Sequence, residues 1–428
     1  MNDHIMSRAD PYDVIVVGAG AAGIGAARRL MAAGLDVVVL EARDRLGGRA
    51  STVPTAFGIP VDVGCEWLHS AESNPWVGIA RELGFAVDET LPDWGQRVAW
   101  HRGTAAQEDW IAAREAFDAR CAAAAASGDD LAEATLLEPG GRWNGLLRAI
   151  STWANGAELE RVSVRDHDRY ENSQLNWRVP RGYGTLLQAY GAAAPVQLNT
   201  TVKHIDHRSR TITIGTDRGD LRARAIIVTI STNLLAAEAI RFTPPLPDKM
   251  AAAAGLPLGI ANKLFLAIDG PLDALPRDRH LVGATDRTAT GGYQIRPHGW
   301  PMISAYFGGM LATGLEREGP EAMAEFAIDE LIGLFGADMR KRLRPLAHSA
   351  WVSDPLARGS YSCALPGHAD DRALLAAPVN DRLFFAGEAC SINFFGTAHG
   401  AYISAVAAAE AATVRLGAKL KRQSHGQP

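Results

Sequence analysis

The chain opens on a short, largely apolar run at 12–17 (Tyr-Asp-Val-Ile-Val-Val) that ends in glycines. Such a run predicts a buried parallel strand. Residues 21–33 are rich in Ala and Leu and stop at Gly34, which predicts a helix with a glycine terminator and with Arg28 and Arg29 turned outward. Residues 36–41 (Asp-Val-Val-Val-Leu-Glu) read as a second buried strand, so a β-α-β unit stands at the start. From 74 to 145 the spacing turns helical, most clearly over 103–127, where Trp110 and Phe117 stand among alanines. Another helix is expected at 183–190, then strands at 196–198, 202–206, 211–216 and 221–230, the last rich in β-branched residues. Prolines punctuate 242–247. Beyond them, 259–268, 281–283 and 302–307 predict strands of a different sheet and 320–335 an amphipathic helix. A last buried strand at 381–386 and a final helix at 400–416 follow. Both ends, 1–10 and 419 onward, are polar.

Composition narrows the classes. At ~150 residues per domain, 428 residues make two or three domains. The 47% apolar and 21% charged content is that of a globular chain and excludes a disordered or fibrous one. Lys+Arg 43 against Asp+Glu 48 gives −5 with no basic block, so the cationic footprint of non-specific nucleic-acid binding is missing. Cys65, Cys121, Cys363 and Cys390 are widely spaced with no CxxC pair, which argues against a zinc site, a redox dithiol and a disulfide scaffold. No apolar run reaches the ~18 residues of a membrane span, and the first ten residues lack the apolar core of a secretory signal. The expected compartment is the cytoplasm.

Chemistry enters at Gly18-Ala19-Gly20-Ala21-Ala22-Gly23, between the first strand and the first helix. Gly18 allows the tight turn, Gly20 lets a pyrophosphate approach bare backbone, and Gly23 lets helix and strand pack closely. The helix N-terminus adds free N–H groups and partial positive charge. Glu41 ends the second strand, where a carboxylate accepts from both hydroxyls of an adenosine ribose. That much suits NAD and FAD equally. The next stretch, Glu41-Ala42-Arg43-Asp44-Arg45-Leu46-Gly47-Gly48-Arg49, can bring Arg49 and bare backbone toward a second phosphate and a ribitol chain, which a nicotinamide enzyme does not need.

These residues resemble the flavin-dependent amine oxidase family, which contains the monoamine and polyamine oxidases. The resemblance continues in order along nearly the whole chain. Asp62-Val63-Gly64-Cys65-Glu66-Trp67-Leu68-His69 is similar to the family's segment on the flavin face, and Thr200-Thr201-Val202 to its strand that contacts adenine. The stretch 240–247 with Asn262-Lys263 is similar to its crossing into the substrate domain. Trp351 to Pro355 and Gly359-Ser360-Tyr361 resemble a late active-site stretch, and Gly387-Glu388 with Gly396-Thr397-Ala398 resembles the C-terminal flavin signature.

The resemblance implies an α/β fold. A Rossmann-like FAD-binding domain with a doubly wound parallel sheet, from about 1–75, 176–257 and 378–428, would interleave with an α+β substrate domain on a mixed sheet, 76–175 and 258–377. It implies Lys263 as a residue holding water against flavin N5, His69 near the substrate amine, and Tyr361 as one wall of an aromatic pair. The second wall falls on Thr397, which is not aromatic, so the monoamine-oxidase cage is absent; Trp351, Phe394 and Phe395 are candidate substitutes. Ser360 stands where monoamine oxidases carry the cysteine that attaches their flavin, so the FAD is expected to be non-covalent. Glu388 is expected to accept from ribitol hydroxyls. On residues alone, a lysine in the apolar strand 259–268 could equally face solvent, and His69 could equally be a capping histidine. Cys363 is read as a small core residue.

The function so implied is oxidation of a C–N bond of a primary or secondary amine, polyamine-like, with imine hydrolysis and dioxygen as acceptor. A C–C desaturase or ring-oxidising enzyme of the same architecture, a non-catalytic flavoprotein scaffold and an NAD-dependent dehydrogenase are the alternatives. No nucleic acid or membrane is expected, and the oligomeric state is open.

Overall fold

A computed structural model describes residues 10–96 and 98–418. The polar ends at 1–9 and 419–428 lie outside the described residues. The described residues form two compact units, one within residues 10–50, 187–254 and 371–418, the other within 51–186 and 255–370.

The first unit is built on an eight-stranded sheet. The opening strand, Tyr12–Val17, lies parallel between Val37–Leu40 and the long strand Gly219–Val228. Val196–Gln197 extends the parallel part beyond Val37–Leu40. The long strand changes company halfway. Gly219 to Ala223 pair antiparallel with Ile212–Thr216, and Ile226 to Val228 pair parallel with Leu383–Phe385. An antiparallel meander, with Val202–Asp206 beside Ile212–Thr216, thus adjoins the parallel core. Mixed pairing was expected in the substrate domain and parallel strands alone here; the meander makes this sheet the mixed one.

Two helices, Ala21–Ala32 and Ala398–Arg415, pack on each other. Gly25 makes this approach feasible, because a Cβ there would fall 2.8 Å from the Tyr402 ring. Arg29 does not face outward as the helical pattern suggested. The last helix covers it, and it is buried with its guanidinium 2.7 Å from Glu410. Arg28 lies over the Tyr190 ring at 4.7 Å.

The second unit contains a five-stranded sheet in the order Arg279–Val282, Gly292–Ile295, Met302–Gly308, Ala261–Ile268, Leu343–His348, antiparallel throughout. Helices Gly309–Glu318 and Pro320–Phe335 close over it, and Leu264, Leu266, Tyr293, Ile303, Phe307 and Leu331 share one apolar core. The helical stretch resolves into Pro75–Glu82, Ala99–Ser127 and Asn144–Ala154, with Trp110, Phe117, Trp143 and Trp153 in a second core. Residues 51–75, expected with the cofactor-binding stretches, group with this unit. Val61 and Val63 of the hairpin Thr52–Pro54/Pro60–Asp62 bury against Phe265 and Met302. Cys363 packs with Ala157 and Val162 as a small core residue. Among the described residues no helix is long and apolar enough to cross a membrane, and no group of three or more His, Cys, Asp or Glu is placed to hold a metal ion.

Candidate active site

In the first unit the glycine turn is held under geometric constraint. Gly18 has φ +100°, and a Cβ on Gly23 would fall 1.8 Å from the Gly18 carbonyl oxygen. The first intrahelical bond runs from Ile24 N–H to the Gly20 carbonyl (3.0 Å), so the N–H groups before it have no helical acceptor. No side chain caps this end. The Gly47-Gly48 loop lies against it: Gly47 N–H donates to the Ala19 carbonyl (2.9 Å), and Gly20 bridges to Gly47. A Cβ on Gly48 would meet the Gly20 Cα at 3.4 Å. Two bare backbones face each other beside a helix N-terminus, as a pyrophosphate requires.

Glu41 is buried at the end of the second strand. Its carboxylate accepts from Ala19 N–H (2.7 Å) and Arg43 N–H (2.8 Å), which fixes it against the turn. Thr200 N–H donates to the Glu41 carbonyl (2.8 Å), so Val202 starts its strand two residues from this point. Arg49 reaches Glu388: Nη1 lies 2.9 Å from Oε1, while Oε2 accepts from Gly396 N–H (2.9 Å). Gly387, Glu388 and Arg49 line a cleft together with the buried hydroxyl of Thr232, which has no hydrogen-bond partner among the described residues. Glu388 was expected to serve ribitol hydroxyls directly; both of its oxygens already accept protein N–H groups. The donor set, the bare-backbone cradle and the orphaned Thr232 hydroxyl fit a dinucleotide cofactor of the FAD kind.

The last helix starts at Ala398, two residues before its expected start, because Thr397 caps it. Its Oγ1 accepts from Gly400 N–H (2.9 Å) and donates to the Phe394 carbonyl (2.6 Å). Phe395 is buried under the Arg372 guanidinium at 3.9 Å, where it packs within the first unit.

In the second unit Glu66 is brought to Lys263, and Gly64, Cys65, Trp67 and His69 lie on the same short segment as Glu66. Lys263 does not face solvent: it is 7% exposed. Its Nζ lies 2.8 Å from Glu66 Oε2 and donates to the Asp62 carbonyl at 2.9 Å. Burial alone would lower the Lys263 pKa, but Glu66 overrides it and holds the ammonium above the ordinary lysine range. Burial likewise works against the Glu66 carboxylate, and Lys263 brings it below its usual value. Asp62 itself accepts from Thr52 Oγ1 (2.5 Å) and from Tyr183 and Gly184 N–H (2.9 and 3.3 Å), while burial pushes its carboxyl up to about 6.

His69 Nδ1 lies 2.7 Å from Asn176 Oδ1, an arrangement that puts the ring proton on Nδ1 and leaves Nε2 an acceptor. Burial lowers its pKa, more than the Asn176 bond raises it. Trp67 stands edge-on to Trp94 (4.9 Å) and under the Arg178 guanidinium (5.0 Å). Tyr361 is fixed by its hydroxyl, which donates to the Trp153 carbonyl and lies 3.1 Å from the Tyr306 hydroxyl. Trp351 is buried, its N–H on Asn262 Oδ1 (3.2 Å). Ser360 Oγ is taken up by Ala261 N–H (2.8 Å) and carbonyl (3.0 Å).

Tyr306 and Asn176 belong to this cluster and were not singled out from sequence; Asp62 was named only as the start of the flavin-face segment, with no role. Tyr306 is the cross-strand neighbour of Lys263, a register no local pattern carries. Asp62 had a readable signal, lying in the same short stretch as Gly64 and Glu66.

The sequence model of the flavin containing amine oxidoreductases matches residues 21–158 and 153–413. Polyamine oxidase 4 of Oryza sativa subsp. japonica is 31% identical over 448 residues, covering 95% of this chain and 90% of that protein. Polyamine oxidase 2 of Arabidopsis thaliana is 30% identical over 455 residues, covering 94% and 88%. Among solved structures, cyclohexylamine oxidase from Brevibacterium oxydans superposes with a TM-score of 0.77 at 21% identity, covering 95% of this chain and all of that one, a likeness of fold. Together with the glycine turn, the Glu41 carboxylate and the buried lysine, these matches make the chain a member of the flavin containing amine oxidoreductase family.

Proposed function

We propose that the chain is a FAD-dependent oxidase of a primary or secondary amine, with a polyamine-like substrate, and that it releases an aldehyde, a smaller amine or ammonia, and hydrogen peroxide. The observation that carries this reading is Lys263, an inward-facing ammonium in an otherwise apolar strand, grouped with His69 and the ring of Tyr361 in a family of amine oxidoreductases. The polyamine assignment is supported by the two plant relatives and by Thr397, which leaves Tyr361 without a second aromatic wall at the matching position.

Glu41, Arg49 and the glycine backbone of the first unit would hold the cofactor without a covalent bond, since Ser360 offers no thiol. When bound, the isoalloxazine supplies the acceptor for the hydride equivalent lost from the carbon next to nitrogen, and dioxygen takes the electrons onward. The protein's own part is to select the neutral amine and orient it. A free alkyl amine is mostly protonated at pH 7, and an apolar wall such as Tyr361 penalises the ammonium. His69 Nε2, an acceptor in a neutral ring, is suited to take an N–H of the substrate. Lys263 presents an N–H donor to water, which the imine needs for hydrolysis.

A cytoplasmic location is part of the same proposal; all four cysteines are free thiols, as a reducing compartment favours. The test of function is anaerobic titration of the purified yellow protein with mono-, di- and polyamines and amino acids. Bleaching of the flavin band by polyamines supports the reading. Bleaching by a polyene alone would indicate a desaturase, and no bleaching by any amine would refute oxidase function.

A further inference from the structure

The charges around Lys263 are divided unequally. Arg178 turns Nη2 to Asp88 (3.0 Å) and Asp278 (3.1 Å), and His298 pairs with Asp88 (2.8 Å). Arg178 and His298 also favour the Glu66 carboxylate from farther off, but among the described residues the cation in direct contact with Glu66 is Lys263, at 2.8 Å. The lysine arm is held a second time by the Asp62 carbonyl, on the segment that carries Glu66. Lys263 and Tyr306 are paired across adjacent strands, and Tyr306 runs through Tyr361 to the Trp153 carbonyl. The ammonium is therefore buried with its counter-charge in contact, beside the strand that carries Tyr306.

We propose that Glu66 is a positioning residue for the amine reaction: its carboxylate, with the Asp62 carbonyl, locks the Lys263 ammonium into a charge-neutral pair, so that Lys263 serves as a fixed N–H donor and never as a proton acceptor. This rests on the reading of the chain as an amine oxidase. Two consequences follow from elementary electrostatics. A lysine paired with Glu66 adds no net charge of its own, so the pair does not repel an incoming ammonium. A lysine stripped of Glu66 has no carboxylate in contact and keeps only the weaker field of Asp62, so it repels the substrate ammonium more and gives up its proton more readily. The ionisable groups that also face the pair are Asp62, Arg178, His298, His69, Tyr306 and Cys65, and none of them is altered by the variants below.

The test uses FAD-loaded protein carrying Glu66→Gln or Glu66→Asp, each alone and combined with Lys263→Met. The first readout is Tm from pH 7 to 10. Up to about pH 9 the wild type draws no slope from Lys263, because its ammonium persists in both folded and unfolded chains; nearer pH 10 the unfolded chain starts to lose the proton and the wild-type Tm falls slightly. In Glu66→Gln the unfolded chain retains a proton that the folded one sheds, so Tm climbs with pH relative to wild type, and Lys263→Met abolishes the climb. The second readout is the kinetic split. Glu66→Gln raises KM by about tenfold or more at pH 7, changes kcat far less, and loses the KM defect as pH rises; Glu66→Asp recovers part of it. Should Glu66→Gln alone not accumulate, the double variant with Lys263→Met, which leaves no charge unpaired, does; failure of both overturns the pairing. An unchanged Tm–pH profile in Glu66→Gln overturns it too. So does a KM rise of equal size in the Lys263→Met background, which would mean Glu66 binds the amine itself. Absence of all amine turnover removes the functional reading instead and leaves the Tm comparison standing.

Discussion

Arg49 and Glu388 stand 339 positions apart in sequence and meet at 2.9 Å, Nη1 to Oε1, within the first unit. The contact ties the loop after the second strand to the loop before the last helix, and Glu388 also draws in Gly396 N–H. Removing the buried carboxylate takes the acceptor from two partly exposed N–H donors, at about 0.5–1.5 kcal/mol each. Glu388→Ala is therefore expected to lower FAD affinity at least tenfold, with Arg49→Ala similar. Absorbance-based FAD-to-protein ratios after extensive dialysis check this; full retention in both variants would remove the pair from the cofactor site.

Glu41→Ala should purify largely as apoprotein. Its two oxygens now accept Ala19 and Arg43 N–H, so the loss disturbs the turn as well as the ribose contact. A protein that stays as yellow as the wild type would contradict the role given to Glu41.

Lys263→Met should slow reoxidation of reduced protein by dioxygen far more than it weakens FAD retention. Stopped-flow mixing with dioxygen measures the first, and dialysis the second. An oxidative half-reaction at wild-type speed refutes the donor role of Lys263. The same variant strands Glu66 as a buried carboxylate, so a lower Tm is expected alongside.

Gly25→Ala places a Cβ 2.8 Å from the Tyr402 ring between two packed helices. The expected loss is about 1–3 kcal/mol, read as a lower Tm. Combining it with Tyr402→Ala should recover part of that loss.

His167 contacts the buried carboxylate of Glu133, whose charge raises the imidazole pKa to about 9. The folded chain thus binds a proton that the unfolded chain releases near 6.5. This contribution is whole below pH 6.5 and disappears as pH rises through about 9. Tm should fall over that interval, and His167→Gln should flatten the fall. A wild-type profile indistinguishable from that of His167→Gln would contradict the pairing.

The sequence by itself determined the elements whose signals are local. The strand 12–17, the glycine turn and Glu41 are one continuous stretch whose period and spacing carry both fold and chemistry, and the helix at 320–335 was legible to the residue. Family order along the chain supplied Lys263 and Tyr361 as candidates. Only tertiary structure decided what those side chains touch. The strand 261–268 is buried on both faces, so its pattern could not say which way Lys263 points. Glu66, Tyr306 and Asp62 reach it through a cross-strand register and a packed hairpin, which join residues nearly 200 positions apart. Arg29 looked solvent-facing until a helix from the far end of the chain covered it. Such contacts depend on which surfaces meet after the chain has folded, and hydrophobic period encodes only that a surface must be covered, not by what.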